Sequence, residues 1–432
     1  MKKLNFKSVL FLLSVTINIF PNKDSFSLMQ DNNHNLVLTM QEAVTLAIKN
    51  RSSLKAQKFA TQANKFVEKQ VRGGYYPQLT IEEYNYLTKG RKDIQSQITF
   101  QATQLLFDFG QLRKQYEAAQ KGTEISRFQE ETIKNNIQQE VEIAFLNAYL
   151  QQQKTEAIKS FEQASVEQHS KAKHEKELNL LGKDSWLKAD ASYASNMAIV
   201  ETYPFEKKIA QQQLEYFLEM PIFSQPAPPK LKWDEKIQLK VKKLTHYLKL
   251  GLQNRPEIKM YEKTAEQAKA NAKHYQKTYW PTFAAYGEIT RYPYPTIMSN
   301  NMKTTSTIGL NATWNIFDGK SRLHQSNEAE AYMLKALKEK DATIKKITYE
   351  INTAYHELLK AREFLRAQIK IYRQQKNEFK LRTQEFKIGN ISEVQFKEAQ
   401  AKWLKNKIDW LATKINCVIQ EKKLRWACNH PI

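Results

Sequence analysis

At 432 residues the chain could build two or three domains, yet 11 Gly, 12 Pro and 41% hydrophobic residues describe a polar, helix-rich protein whose core is a seam rather than a globule. A formal charge of +22 raises nucleic acid as a partner. The lysines are scattered along every helix instead of clustered, and an exported chain does not meet the chromosome, so no nucleic-acid role is expected.

The N-terminus carries Lys2, Lys3 and Lys7, then an apolar run from Val9 to Phe20, then Ser25 and Ser27 in a small-x-small arrangement. This is the pattern of a secretory signal peptide over residues 1–27. The alternative, a membrane anchor, needs roughly 18 to 20 apolar residues, more than this run supplies. The two cysteines, Cys417 and Cys428, sit eleven residues apart on one helical pattern. That places them about 16 Å apart, too far for a disulfide. They are expected to be free thiols or residues at a frayed helix end.

Residues 28–220 form a first structural unit. Thr39 and Glu42 make a capping box at the start of a helix that breaks near Asn50 and ends at Gly73-Gly74. Pro77 then opens a β-hairpin over residues 77–107, in which Leu79 and Ile81 alternate with Gln78 and Thr80, and Ile98, Phe100 and Ala102 with Gln97, Thr99, Gln101 and Thr103. A slip near Glu82-Glu83 predicts a bulge. A long helix starts near Gln111, with Ile133, Ile137, Val141, Ala144 and Ala148 on its seam. Gly182 is expected to end it in the left-handed conformation, and a return helix follows. Residues 221–240, with Pro221, Pro226, Pro228 and Pro229, read as a linker.

Residues 241–432 repeat the plan. Pro281 opens a second hairpin over 281–317, where Phe283, Ala285, Gly287 and Ile289, then Ile308, Leu310, Ala312 and Trp314, alternate with polar neighbours. Asp318, after Phe317, is a plausible N-cap. No Pro or Gly interrupts Lys320 to Ile388, a helix of roughly 100 Å. In it Ile344, Ile347, Ile351, Ala354, Leu358, Ala361 and Leu365 keep the alternating three- and four-residue spacing of a coiled-coil seam. Gly389 turns the chain, and Leu404, Ile408, Leu411, Ile415 and Val418 give the return helix its seam. Asn50-Arg51 matches Asn254-Arg255 and Tyr76-Pro77 matches Trp280-Pro281 at an offset of 204, Phe107-Asp108 matches Phe317-Asp318 at 210, and Leu181-Gly182 matches Ile388-Gly389 at 207. Ordered landmarks at near-constant offset indicate duplication.

Enzyme motifs occur only as fragments. Gly319-Lys320-Ser321 lacks the first glycine of a phosphate-binding loop, which Trp314 replaces. His356-Glu357 lacks its second histidine, since Lys360 stands there. His169 and His174 are five apart and do not share a helix face, so both read as surface histidines. No catalytic residue, metal site or cofactor site is expected.

The four strands have about the length of tilted membrane strands, each with one apolar and one polar face. Only a closed barrel leaves no unsatisfied edge in lipid, and known barrels begin at about eight strands. Strands must therefore be pooled between chains. The fold class is mainly α with a small β part: long coiled-coil hairpins plus four transmembrane strands per protomer.

On Leu106-Phe107-Asp108-Phe109-Gly110, Ile316-Phe317-Asp318-Gly319, the two hairpin prolines and Phe386-Lys387-Ile388-Gly389 followed by Val394 and Ala399, the chain resembles the TolC family of outer-membrane efflux and secretion channels. The resemblance implies a homotrimer with a twelve-stranded barrel continued by an α-helical tunnel. It implies contact with outer-membrane lipid, a large periplasmic part, a periplasmic adaptor (membrane fusion) protein and an inner-membrane pump of RND, ABC or MFS type. Substrate would pass passively, as in tripartite efflux or type I secretion. A protein-secretion conduit uses the same family. An exported coiled-coil scaffold explains the heptads but neither the hairpins nor the signal. The family's two acidic pore residues fall on Gln395 and Glu398, its gating tyrosine and arginine on Phe386 and Ile391, and a frequent acidic latch partner on Lys188. Three Glu398 carboxylates facing three Lys188 ammonium groups would give a clasp worth about 0 to 1 kcal/mol per exposed pair, and a less cation-selective gate than the family norm.

Overall fold

The computed structural model describes residues 37–87, 94–226, 228–233, 241–292 and 303–429. The expected signal segment and both hairpin tips, including Lys89 to Asp93 and Pro293 to Asn301, lie outside the described residues.

The chain opens with β1 (Val37–Thr39) and α1 (Met40–Asn50), joined by the capping box: Thr39 Oγ1 accepts from the Glu42 amide, and Glu42 Oε2 accepts from the Thr39 amide at 2.8 Å. Arg51 breaks the helix before α2 (Ser52–Gly73). The first hairpin is β2 (Gln78–Leu87) and β3 (Ile94–Phe107), followed by α3 (Gln111–Glu177) and α4 (Lys183–Leu218). The second half brings α5 (Leu244–Asn254), α6 (Pro256–Lys277), β5 (Thr282–Tyr292), β6 (Lys303–Thr313), α7 (Ser321–Lys387) and α8 (Glu393–Cys428). Between them β4 (Lys230–Lys232), in the stretch read as a linker, pairs in parallel with β1 and ties the connection to the first half.

Corresponding helices have equal lengths: 11 residues for α1 and α5, 22 for α2 and α6, 67 for α3 and α7, and 36 for α4 and α8. The offset is 204 up to the hairpins (Met40 to Leu244, Gln78 to Thr282) and 210 beyond them (Gln111 to Ser321, Lys183 to Glu393). The whole difference is therefore absorbed inside the hairpins.

That constant offset of 210 corrects the alignment of Gly182 with Gly389. Gly389 is left-handed, with φ 76°, but its counterpart is Asn179, with φ 56°. Gly182 is extended (φ −68°, ψ 152°) and stands at the N-cap of α4, where α8 has Ser392. Both turns close alike: Leu180 N donates to Glu175 O and Asn390 N to Glu385 O, each at 2.8 Å. Asparagine tolerates the left-handed region because its short polar side chain bonds locally, so a scan for glycine missed it.

Three further readings are corrected. β2 passes through Glu82 and Glu83 without a slip, and the irregularity lies between Leu105 and Phe107 of β3. β6 ends at Thr313, so Trp314 is not a strand residue; its Nε1 donates to Tyr279 O at 3.0 Å. Asp318 is not the residue flanking its helix. Gly319 and Lys320, both left-handed, intervene, and Asp318 Oδ2 accepts from the Arg322 amide at 3.1 Å and Arg322 Nε at 2.7 Å. The guanidinium holds the carboxyl below the usual aspartate range. Asp108 reaches forward in the same way, accepting from Gly110 N at 2.8 Å and Leu112 N at 2.6 Å.

The described elements form a layer four wide. The sheet order is β2-β3-β5-β6, all antiparallel. Next to it the helices run α2-α3-α6-α7, and further along α4-α3-α8-α7. Two apolar clusters fill the middle, one around Val141, Phe145, Leu214 and Ile415, the other around Ile347, Ile351, Leu358 and Leu424. Cys417 and Cys428 are buried free thiols beside the second cluster rather than frayed ends, and burial pushes Cys428 up to about 11.

The two turns make opposite demands. Gly182→Ser is expected to leave stability unchanged or raise it by a few tenths of a kcal/mol, because Ser caps slightly better than Gly and its Cβ meets open space. Gly389→Ser should cost about 1 to 2 kcal/mol through left-handed strain. Paired thermal unfolding curves check the contrast, and equal shifts reject it.

Candidate functional site

Two regions concentrate polar chemistry on an otherwise repetitive scaffold: the faces of the sheet and the turns at the far end of the long helices. In the sheet, the cross-strand register collects side chains by parity. Leu79, Ala102, Gly287 and Ile308 form one row, and Ile81, Phe100, Ile289 and Ser306 the next, both on one face. Ile98, Leu310 and Ala312 extend that face. The opposite face carries Thr80, Gln101, Glu288 and Thr307, then Glu82, Thr99, Thr290 and Thr305, with Asn311 and Thr313 beyond. Thr99 and Thr290 are buried between strands, their Oγ1 atoms 3.3 Å apart. Ile98, Phe100 and Leu310 thus lie opposite Thr99, Gln101, Asn311 and Thr313. Leu79, Ile81, Ile289, Ile308 and Leu310 are exposed, so the apolar face is bare in the single chain.

Where sheet meets helices, Pro77 and Pro281 immediately precede β2 and β5. Phe109 stacks on Trp280 at 5.0 Å and meets Phe107 edge-on at 4.8 Å. Tyr75, Tyr76, Trp314 and Phe317 are exposed at the same level. Lys277 Nζ donates to Phe109 O, pinning α6 to this junction.

At the far turns, Ser392 caps α8 and Gln395 completes its box, accepting from the Ser392 amide at 3.0 Å. Gln395 is therefore occupied by the helix start. Glu398 is half-buried one turn on, and Ile391 half-buried before the cap. Phe386 stacks on Phe396 at 4.6 Å, which lies against Phe379 at 5.9 Å; Phe379 stacks on Trp403 at 4.9 Å. Tyr372 and Trp410 stack further up at 4.9 Å. Tyr372, Phe379 and Phe386 on α7, and Phe396, Trp403 and Trp410 on α8, step by seven residues. That heptad spacing was legible in the sequence and was missed.

In the first half Lys188 Nζ bonds Asp184 at 2.7 Å on its own exposed helix face. Lys188 and Glu398 are counterparts at the offset of 210. His169 is not a plain surface histidine. It stacks on Tyr193 at 4.2 Å, lies 5.4 Å from Trp186, and its Nε2 is 3.0 Å from Asp190 Oδ1. Between the two hairpins, Lys397 Nζ bridges Glu167 and, at 3.1 Å, Glu393, and these carboxylates raise its pKa. Among the described residues no group of three His, Cys, Asp or Glu side chains converges as a metal site. No described helix is long and apolar enough to cross a membrane.

Residues 248–430 match the family model described as outer membrane efflux protein. No curated protein matched the chain. Among solved structures, a membrane protein from Pseudomonas aeruginosa superposes with a TM-score of 0.73 at 16% identity, covering 90% of this chain and 93% of that one. The Campylobacter jejuni CmeC outer membrane channel gives 0.73 at 16% identity over 90% and 85%. The Vibrio cholerae outer membrane protein VceC gives 0.71 at 15% identity over 90% and 96%. The second half thus matches the family model described as outer membrane efflux protein, and the described chain has the fold of these solved membrane proteins.

Proposed function

We propose that the chain is the outer-membrane exit duct of a tripartite export system, in which three copies close into a twelve-stranded barrel continued by a helical tunnel. One observation carries this reading: a four-stranded sheet, apolar on one face and polar on the other, whose two outer strands each pair on one side only. In hydrocarbon every backbone amide and carbonyl must be paired. Four strands cannot roll up alone, and two unlike edges that fit each other generate a closed ring.

The apolar face then meets lipid and the Thr-, Gln- and Asn-rich face lines a wet lumen. Tyr75, Tyr76, Trp280 and Trp314 at the junction suit the membrane–water boundary, where aromatic rings are favoured. Helices of 67 residues would reach roughly 100 Å into the periplasm. Passage is passive. The energy comes from an inner-membrane pump of RND, ABC or MFS type, reached through a periplasmic adaptor protein that docks on the helical part. The signal segment and the C. jejuni channel's fold support the outer membrane as the location.

Detergent-solubilised protein is expected to have the mass of three protomers and to fractionate with the outer membrane. The mass of one protomer, or recovery in the soluble periplasm, overturns the reading. Leu310→Arg should cost about 2 to 4 kcal/mol near the membrane midplane and abolish assembly, while Asn311→Arg assembles; equal tolerance rejects the assigned faces. At the tip, Glu398→Ala should lower cation selectivity in single-channel recordings. Unchanged selectivity and open probability would move the gate to other residues.

A further inference from the structure

The two long hairpins have equal lengths but different charges. α7 and α8 together hold 23 basic (Lys, Arg) and 13 acidic residues, whereas α3 and α4 hold 14 and 16. Between the hairpins the positive excess therefore belongs to the second, and on the tip half of α7 it is ordered. Arg366, Arg373, Lys380 and Lys387 step by seven residues, the repeat that keeps side chains on one seam, over a length of roughly 31 Å. We propose that this stripe is the docking seam for the periplasmic adaptor, and that the adaptor helix lying along it carries acidic side chains at the facing heptad positions. The inference rests on the exit-duct reading and adds to it the face that docks and the charge of the partner.

The stripe is bare of counter-charge. All four side chains are exposed. Arg366 bonds Glu363, but Arg373, Lys380 and Lys387 make no ion pair among the described residues. The other carboxylates of the stretch are already taken, Glu378 by Lys402 at 3.3 Å and Glu385 by Arg382 at 2.9 Å. The stripe also lies roughly 70 to 100 Å along α7 from the sheet. The membrane that holds the sheet is thus far outside the ~8 Å over which charge acts in physiological salt, and the partner at this height is a protein. A helix laid along a helix is read at heptad spacing, which is the spacing of the four cations.

The duplication shows which way the stripe points. At the offset of 210 its counterparts on α3 are Glu156, Gln163, Ser170 and Glu177. These four are exposed although α3 already has a helix on either side, α4 through His169 and Tyr193 and α8 through Glu167 and Lys397. This heptad position therefore points out of the wall, and a neighbour beside α7 leaves it open in the same way. One heptad before Glu156, Tyr149 holds the position and meets Trp233, next to β4, with ring centroids 5.7 Å apart. The stripe is thus on the side of the wall that carries the β1/β4 pair, and the opposite side is left for the tunnel. Its counterpart on α3 is acidic or neutral, so the two hairpins offer one partner opposite faces. An acidic helix is attracted by α7 and repelled by Glu156 and Glu177, and such repulsion sets which site is used.

The test places photoreactive benzoylphenylalanine at Gln384, which is exposed between Lys380 and Lys387, in the full-length protein in its own cells, and reads the cross-linked peptides by mass spectrometry. The expected product is a peptide from a periplasmic protein anchored in the inner membrane, with Asp or Glu repeating every seven residues. A peptide without that acidic repeat, or cross-links to a neighbouring copy alone, overturns the proposal. In a second arm, Arg373→Glu with Lys380→Glu should lower the cross-link by about tenfold or more, and Lys in place of the partner's acids should restore it; failure of that rescue counts against the seam. Lys269→Glu with Lys273→Glu makes the same change in charge on exposed positions of α6 and should leave the yield unchanged. An equal loss there means general attraction to a basic protein and overturns the seam. Mass separates the two readings: three protomers without an acidic partner sinks the docking seam alone, and the mass of one protomer sinks the exit duct with it.

Discussion

A strand that pairs on one side only leaves half of its amides and carbonyls facing outward, and the rest of this structure follows from where those groups can go. Soluble sheets blunt such edges with lysine, proline, bulges or shortness. Here the edge strands β2 and β6 run 10 and 11 residues, and the one irregularity sits in the inner β3/β5 pair. The charged side chains are few, Glu82 and Glu83 on β2 among them, and neither breaks the ladder. A sheet with open edges and one bare apolar face is at odds with water and well suited to lipid, provided that the edges find each other.

The helices must then keep the same four-wide order over a much greater length, and this is enforced where α1 gives way to α2 and α5 to α6. Arg51 donates from Nη1 to Tyr216 O at 3.2 Å and from Nη2 to Glu140 at 3.0 Å. Arg255, its counterpart, donates from Nη1 to Trp426 O at 3.2 Å and from Nη2 to Glu350 at 2.5 Å. Each guanidinium thus adds a second hydrogen bond to a last-turn carbonyl that already accepts from Glu219 N or Asn429 N, while holding the neighbouring long helix by a carboxylate. The planar fork allows two directions at once, which a lysine ammonium on one flexible stem does not match. A carbonyl oxygen has two lone pairs, and at these helix ends the second one serves as the anchor for the break.

Much of this architecture was legible in the sequence because it rests on periodicity. The long uninterrupted helices, the alternating strands and the duplicated landmarks all come from patterns that repeat over many residues. What was not legible depends on single backbone angles and on side chains that meet across elements. Asn179 does in one half what Gly389 does in the other, since the turn needs a left-handed residue and not glycine itself. Asp318 sits outside its helix yet bonds into the first turn, because two left-handed residues fold the chain back. The faces of β3 and β6 could be assigned from alternation. The cage around His169 could not, because Trp186, Tyr193 and Asp190 come from the opposite helix of the hairpin.

The two hairpins share every length and every turn, so the differences between them are chemical and gather at the tip. α8 begins with a complete capping box and continues into Phe396 and Trp403, stacked on Phe379 and Phe386. α4 begins at an uncapped glycine, and the equivalent rungs are Trp186, Tyr193, His169 and Lys176, with Lys176 Nζ 4.2 Å above the Trp186 ring. Stacked uncharged rings carry no net charge for salt to screen. A lysine over an indole must compete with water and ions for the same partner. The α7/α8 tip is therefore stacked from uncharged rings, and the α3/α4 tip from rings joined by a lysine and a histidine. Lys397, reaching from α8 to Glu167 on α3, is the ion pair among the described residues that joins the two hairpins near their turns.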